Sequence, residues 1–260
     1  MKFNVAADNY HSIRPGYPSV IFEDIRVQCK IGPRSRLLEI GAGSGIATVE
    51  LAKFGGRIVA IEPSFDLAAI AREQTGKFTN VEIIEETFES FQATDRFDAI
   101  MAFTVFHWLN EAVKYQKVLD LLDDSGSLVL VWNSFFQDDS LVTSEVNNAY
   151  REFFPDIYTE KPTVADVNKE TLAKLNHREQ EVIANPLFRQ VFLKKYSTTY
   201  NYDDQTYPKL LNTFPKIAQV EESKRSKFFE HISEIIKKYG TISVPVLTTL
   251  IICQKRGFPI

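Results

Sequence analysis

Short apolar runs alternate with segments of helical periodicity through the first half of this chain. The runs cover residues 37–40, 57–62, 81–84, 97–103 and 127–132. Each has the length and branched-residue content of a strand buried on both faces. Between them, 44–54 resumes with helix formers, and Leu67, Ile70 and Ala71 share a face behind the helix start Pro63-Ser64. Tyr115, Val118, Leu119 and Leu122 do the same ahead of a turn at Asp123-Asp124-Ser125-Gly126. A leading helix over 19–30 carries Ile21, Ile25 and Cys29 on one face and stops at Gly32-Pro33. This repetition predicts an α/β chain with a doubly wound, mostly parallel sheet.

After Asn133 the rhythm changes. The next convincing strand is 190–200, a gap longer than a single crossover needs. Inside it Val142, Val146, Tyr150 and Phe153 repeat at helical spacing up to Pro155, and Leu172 and Leu175 mark a further helix, so 137–189 is expected to form a helical cap. A second excursion, 203–240, holds Leu210 and Leu211 and then an amphipathic helix with Phe228, Ile232, Ile235, Ile236 and Tyr239, closed by Gly240. The last strand is 244–253, where Pro245 suits an edge position or a strand start. The expected organisation is an N-terminal turn and helix over 1–31, a core from 32–136 and 190–260, and the two excursions.

Composition narrows the picture. The 260 residues are 44% hydrophobic and 25% charged with a formal charge of -4, ordinary for a globular chain of one main domain with insertions. No Lys/Arg run offers the basic face that nucleic acid requires, so nucleic acid is not an expected partner. Cys29 and Cys253 have no paired spacing, which predicts neither a disulfide framework nor a metal site. No apolar stretch approaches the ~20 residues that span a bilayer, and the start has no signal-like apolar region, so a cytoplasmic monomer or homodimer without membrane contact is expected.

The chemistry concentrates where the first run breaks into alternate glycines, Glu39-Ile40-Gly41-Ala42-Gly43-Ser44-Gly45. Glycines at a strand-to-helix turn let the backbone approach a ligand, and the following helix aims its free N–H groups at the same spot. A nicotinamide fingerprint needs a glycine where Ile46 stands. The spacing acid-x-Gly-x-Gly-x-Gly instead resembles the first motif of class I S-adenosylmethionine-dependent methyltransferases. Glu62 ending the second strand, Glu86-Thr87-Phe88 after the third and Ala102 to Trp108 after the fourth extend the resemblance over most of the chain. Tyr10-x-x-x-Arg14-Pro15-x-Tyr17-Pro18, with His107-Trp108, looks like the small-molecule group that includes trans-aconitate methyltransferase. The resemblance implies S-adenosyl-L-methionine as cofactor, a small-molecule acceptor, and a seven-stranded Rossmann-like sheet whose last strand is reversed.

Specific roles follow. An acid about 20 residues past a glycine loop accepts hydrogen bonds from ribose hydroxyls, which assigns Glu62, unless it is a plain exposed acid at a strand end. Glu39 is placed to meet the positive amino group of the methionine part, or is an inward acid satisfied by the next turn. Gly41, Ala42, Gly43, Gly45, Pro63, Thr87, Phe88 and Phe103 complete the expected cofactor site, with Thr87 and Phe88 against adenine; for Phe88, core packing is the alternative. Trp108 faces the sulfonium or simply packs. His107 acts as a general base on the acceptor or caps the next helix. Arg14, with Tyr10 and Tyr17, clamps a carboxylate of the methionine part or of an acidic acceptor, or forms a structural turn pinned by prolines. Tyr196, Tyr200 and Tyr202 border the pocket or are half-exposed strand residues.

Methyl transfer from a sulfonium is an in-line displacement that needs alignment and water exclusion rather than a nucleophilic side chain. The competing expectations are a nicotinamide-linked oxidoreductase on a related fold and a non-catalytic module that only binds the cofactor.

Overall fold

The computed structural model describes residues 13–156 and 163–257. Seven strands form one sheet: β1 (Arg36–Ile40), β2 (Arg57–Ile61), β3 (Val81–Ile84), β4 (Phe97–Phe103), β5 (Leu122–Phe135), β6 (Phe188–Tyr202) and β7 (Ile242–Lys255), in the order β3-β2-β1-β4-β5-β7-β6. β1 to β5 pair in parallel, and β7 runs antiparallel to both of its neighbours. The expected doubly wound sheet with a reversed last strand is therefore what forms. From β1 the chain winds outward to β3, then returns to the other side of β1 with β4. That reversal opens a crevice at the carboxyl ends of β1 and β4.

Alternation across the sheet separates two cores. Leu38 and Ile40 face one side, with Phe97, Val118, Trp132 and Phe188. Leu37 faces the other, with Ile21, Ile25, Leu51 and Val129. The second side is covered by α1 (Ser19–Gln28) and α2 (Ile46–Ala52); α3 (Phe65–Thr75) follows, started by the Ser64 hydroxyl, which accepts from Leu67 N–H. The first side carries α4 (Lys114–Leu121).

Two local expectations change. The turn at 123–126 is absorbed into β5 as an irregularity: Leu122 pairs with Phe97, and Ser127 then pairs with Ala99. Gly126 has no room for a side chain there, because a Cβ would lie 2.8 Å from Leu122 Cγ and 3.0 Å from the Phe97 carbonyl oxygen. Pro245 is not on an edge, since β7 lies between β5 and β6. It sits near the strand's start, one residue before Val246 pairs with Phe135 at the end of β5, so little of the ladder needs its missing N–H.

The described residues of 137–189 hold two helices that belong to different layers. α5 (Leu141–Phe153) joins the second excursion, α7 (Tyr207–Asn212), α8 (Pro215–Ala218) and α9 (Glu222–Tyr239), in a third cluster around fully buried Phe228. The Phe228 ring lies 4.9 Å from Tyr150, 5.6 Å from Phe153 and 4.8 Å from Phe154. α6 (Val164–Ala184), started by a capping box between Thr163 and Asp166, packs on the sheet instead, with Val182 in the first core. Glu181 of α6 takes a 2.7 Å ion pair from Lys114, whose side chain is almost wholly buried, and Glu179 takes one from Lys195 of β6. Pulled toward the sheet in this way, α6 runs beside the crevice.

Replacing Phe228 by alanine empties the centre of the third cluster and is expected to cost about 3–5 kcal/mol in urea unfolding, with the denaturant slope unchanged.

Candidate functional site

The crevice is a cleft of about 620 Å³ walled by the glycine loop, the carboxyl ends of β2, β3 and β4, the segment 14–17, α6 and the start of α8. The loop is shaped by what surrounds it. Gly41 has φ +66, and a Cβ there would lie 2.6 Å from Val105 Cγ2, so the backbone lies against the exit of β4 as only glycine allows. Gly43, at φ +57, presents its N–H to Glu62 Oε2 at 2.8 Å, while Ser64 N–H donates to Glu62 Oε1 at 2.9 Å. Ala42 N–H donates to the Ile61 carbonyl at 3.0 Å. Burial raises the Glu62 carboxyl above its ordinary value, and the two backbone N–H groups oppose that rise. A carboxylate has acceptor positions beyond these two bonds, so Glu62 still has capacity toward the cleft.

Glu39 shares its sheet face with Leu37 and so points toward α2. It is 1% exposed, and its Oε2 is buried without a hydrogen-bond partner among the described residues. Burial pushes its pKa up to about 8; Thr48 on α2 opposes the rise and Glu62 adds to it. A buried carboxyl left without a cation is a group awaiting one.

The exit of β4 forms the floor. Thr104 has φ +58, a conformation that costs a β-branched residue energy. It is held by its N–H to the Val131 carbonyl at 2.7 Å, by Asn133 N–H donating to its hydroxyl at 3.2 Å, and by a 3.2 Å hydrogen bond shared with the Tyr17 hydroxyl. Asn133 also donates to the Gly16 carbonyl at 3.1 Å, and Tyr202 and Tyr200 donate to the carbonyls of Ile13 and Gly16. Tyr196 holds Asp24 of α1. These three tyrosines therefore tie the N-terminal segment and α1 to the sheet, and none of them lines the cleft.

His107 lies in a 3-10 turn over Phe106–Trp108. The Trp132 indole N–H donates to its Nδ1 at 3.3 Å. Indole nitrogen can only donate, so the neutral imidazole must carry its own proton on Nε2. Burial, with the nearby cations Arg178 and Lys114, lowers its pKa to about 4. The expectation of a general base is corrected: His107 is a neutral hydrogen-bond donor. Trp108 stands at the mouth, 53% exposed.

Arg14 lines the cleft, but its guanidinium donates to the Thr213 carbonyl at 3.1 Å and lies 4.9 Å from the Phe214 ring and 5.8 Å from the Phe135 ring. It braces α7 and α8 more than it offers a fork to a ligand. Tyr10 lies outside the described residues. Pro63, Phe88 and Phe103 line the cleft; Phe88 is mostly buried in the first core and Phe103 packs under Tyr17 at 5.0 Å. The Thr87 hydroxyl is engaged with Ser90, which competes with an adenine contact. Gly45 does not line the cleft; its φ of +85 and a Cβ position 3.2 Å from Ala71 Cα show that it lets α2 and α3 approach. Among the cleft residues that the sequence did not point to are Thr171, Lys174 and Arg178 of α6, a polar stripe at helical spacing.

The chain resembles known proteins along this same region. Residues 38–130 match the family model described as a methyltransferase domain. An uncharacterized methyltransferase of Bacillus cereus is 30% identical over 146 residues, 54% of this chain and 68% of the relative. The chain belongs to the class I S-adenosylmethionine-dependent methyltransferases. An uncharacterized methyltransferase of Schizosaccharomyces pombe is 22% identical over 90% of this chain and 87% of its own length. Against a relative from Dictyostelium discoideum the chain spans about half the length, 48%. A solved methyltransferase of Geobacter sulfurreducens in complex with S-adenosyl-L-homocysteine has a TM-score of 0.53 at 12% identity, covering 98% of each chain, a likeness of fold.

The residues present fit the family's cofactor. Glu39 offers a buried carboxyl that a positive amino group beside it would favour as the carboxylate, Glu62 offers acceptors for paired hydroxyls, and Gly41 leaves the space that a Cβ would fill. Among the described residues no group of His, Cys, Asp and Glu is arranged to hold a metal, and no helix is long and apolar enough to cross a membrane.

Glu39 makes stability depend on pH. Below its ordinary value of 4.5 it is protonated folded and unfolded alike; from there to about pH 8 only the folded chain keeps the proton, so stability falls as pH rises through that window. Glu39→Gln is expected to flatten this slope between pH 5 and 8 in thermal or urea unfolding of the ligand-free protein.

Proposed function

We propose that this methyltransferase moves the methyl group of S-adenosylmethionine to a small-molecule acceptor by in-line displacement. What supports this reading is the size of the cleft, about 620 Å³, lined by Glu39 and Glu62 and also by Tyr17, Arg178, Phe214 and Pro215, a volume on the scale of small-molecule sites.

Bound in the cleft, the cofactor supplies a methyl group already activated on a sulfonium. Glu39 would hold the cofactor's amino group, and the cation beside it would favour the carboxylate over the protonated form that burial favours in the ligand-free chain. Glu62 receives hydroxyl hydrogen bonds while its two backbone donors keep it oriented. Thr104, held by three hydrogen bonds, and the packed Phe103 keep the floor in one shape, against which a nucleophile and the methyl group would be aligned. The segment 14–17 and α6 exclude water. His107 contributes an N–H to the acceptor and removes no proton, so the acceptor atom must be nucleophilic at working pH or lose its proton to solvent.

The alternative of a nicotinamide enzyme gains nothing from the structure. Ile46, where that fingerprint needs glycine, is the first residue of α2 and lines the cleft with a branched side chain.

Calorimetry is expected to show micromolar binding of S-adenosylmethionine, weakened at least tenfold, about 1.4 kcal/mol, in Glu62→Ala. Absence of binding to the wild-type protein would overturn the assignment, and binding without turnover over a broad acceptor panel would favour a module that only holds the cofactor.

A further inference from the structure

A second space opens beside the cleft. It holds about 240 Å³ between α5, α7, the start of β7 and Val167 of α6. Phe135 at the end of β5 and Phe214 ahead of α8 line this space and line the cleft as well. The two rings meet edge to face at 5.3 Å and so form the partition between the two volumes. A molecule seated in the cleft beside Phe135 reaches the second space by passing one pair of side chains.

The walls select what fills it. Phe136, Tyr150 and Tyr207 add aromatic surface to that of Phe135 and Phe214. Most of the polar side chains there are already engaged. The Gln137 and Asn147 amides donate to each other, each at 2.9 Å, the Thr143 hydroxyl donates to Asp138, the Ser243 hydroxyl donates to Asn201 at 2.8 Å, and Arg151 donates to Asn148. No carboxylate or lysine lines the space among the described residues. An apolar guest therefore gains burial there without breaking a hydrogen bond. Close-packed interiors keep few voids larger than a water molecule, and an apolar cavity of about 150 Å³ already takes benzene. The volume here suits one ring with a short linker, and aromatic walls favour an aromatic ring over a saturated chain.

We propose that the methyl acceptor carries one aromatic ring, seated in the second space beyond Phe135 and Phe214, with its nucleophilic atom on a short linker in the cleft. The inference rests on the small-molecule reading above and names the substrate class for it. Val167 and Phe214 are the specificity-determining residues. Val167 is half-buried on α6 and lines only the second space, whereas Phe214 bounds both. An acceptor without the ring leaves the space unfilled and forgoes the burial of an aromatic group.

The test measures methyl transfer from S-adenosylmethionine by the full chain to phenylalkylamines and phenylalkanethiols with one to four methylenes, and to the plain alkyl amines and thiols of the same chain lengths. At least one ring-bearing acceptor is expected to turn over, with a kcat/KM at least tenfold above that of its ring-free counterpart. Val167→Trp fills the second space and is expected to lower kcat/KM for that acceptor at least tenfold, while S-adenosylhomocysteine affinity, read by calorimetry, stays within twofold and reports that the variant folds. Phe214→Ala widens the passage and is expected to raise kcat/KM for the naphthyl analogue relative to the phenyl compound at least fivefold. Equal rates with and without the ring, turnover of ring-free acceptors alone, an unchanged rate in a folded Val167→Trp, or an unchanged naphthyl-to-phenyl ratio in Phe214→Ala would each overturn the proposal and leave the small-molecule reading standing. Binding of S-adenosylhomocysteine with no turnover of any acceptor would overturn the small-molecule reading as well.

Discussion

The carboxylate of Glu62 joins the loops that leave β1 and β2. One oxygen takes the Gly43 N–H of the glycine loop and the other takes the Ser64 N–H at the start of α3. Backbone donors in such tight turns have no strand partner, and burying them unsatisfied would cost a few kcal/mol. With β1 and β2 paired up to Ile40 and Ile61, this side chain ties the glycine loop beyond β1 to the helix start beyond β2, and that tie shapes one wall of the cleft. The same carboxylate retains acceptor capacity toward the ligand, so the scaffold and the recognition element are one group.

Around this bridge the cleft sorts charge by side. The acidic inner wall suits a cofactor that carries positive charge on nitrogen and sulfur, and the basic outer wall belongs to a helix that is not part of the alternating core. α6 brings Arg178 there because Glu179 pairs with Lys195 on β6 of the sheet and Glu181 with Lys114 on α4. The ion pairs are thus positional: they decide which face of α6 looks into the cleft and leave one arginine out of the pairing. The N-terminal segment is set by similar means, through Asn133 and the hydroxyls of Tyr200 and Tyr202.

Much of the fold was legible in local pattern. The run 37–40, the acid at Glu62 and the glycines after Glu39 are short-range signals, and backbone geometry confines each to one use: a buried strand, a strand tip, a turn with positive φ. The amphipathic spacing of Phe228, Ile232, Ile235 and Ile236 likewise predicted α9. Where the sequence left two readings open, a contact between distant residues decides between them. Pro245 suited an edge until β6 paired outside β7. Tyr196, Tyr200 and Tyr202 alternate as cleft-lining residues would, yet their hydroxyls reach α1 and segment 13–16. The single residue type at 107 suggested a base, and a tryptophan on β5 made it a donor.

By itself, then, the sequence determined the alternating sheet, the cofactor loop with its two acids, and through them the chemistry of the donor. These are properties of neighbouring residues, whose steric and hydrogen-bonding demands are met within one strand, turn or helix. Tertiary structure alone decided how the acceptor side is built. The two helices of 137–189 part into different layers, Arg14 is committed to α7 and α8 while Arg178 is left to the cleft, and the His107 tautomer follows from Trp132. Each of these depends on which surfaces meet once the sheet has closed. Hydrophobic burial is non-directional, and no short pattern along the chain encodes the meeting.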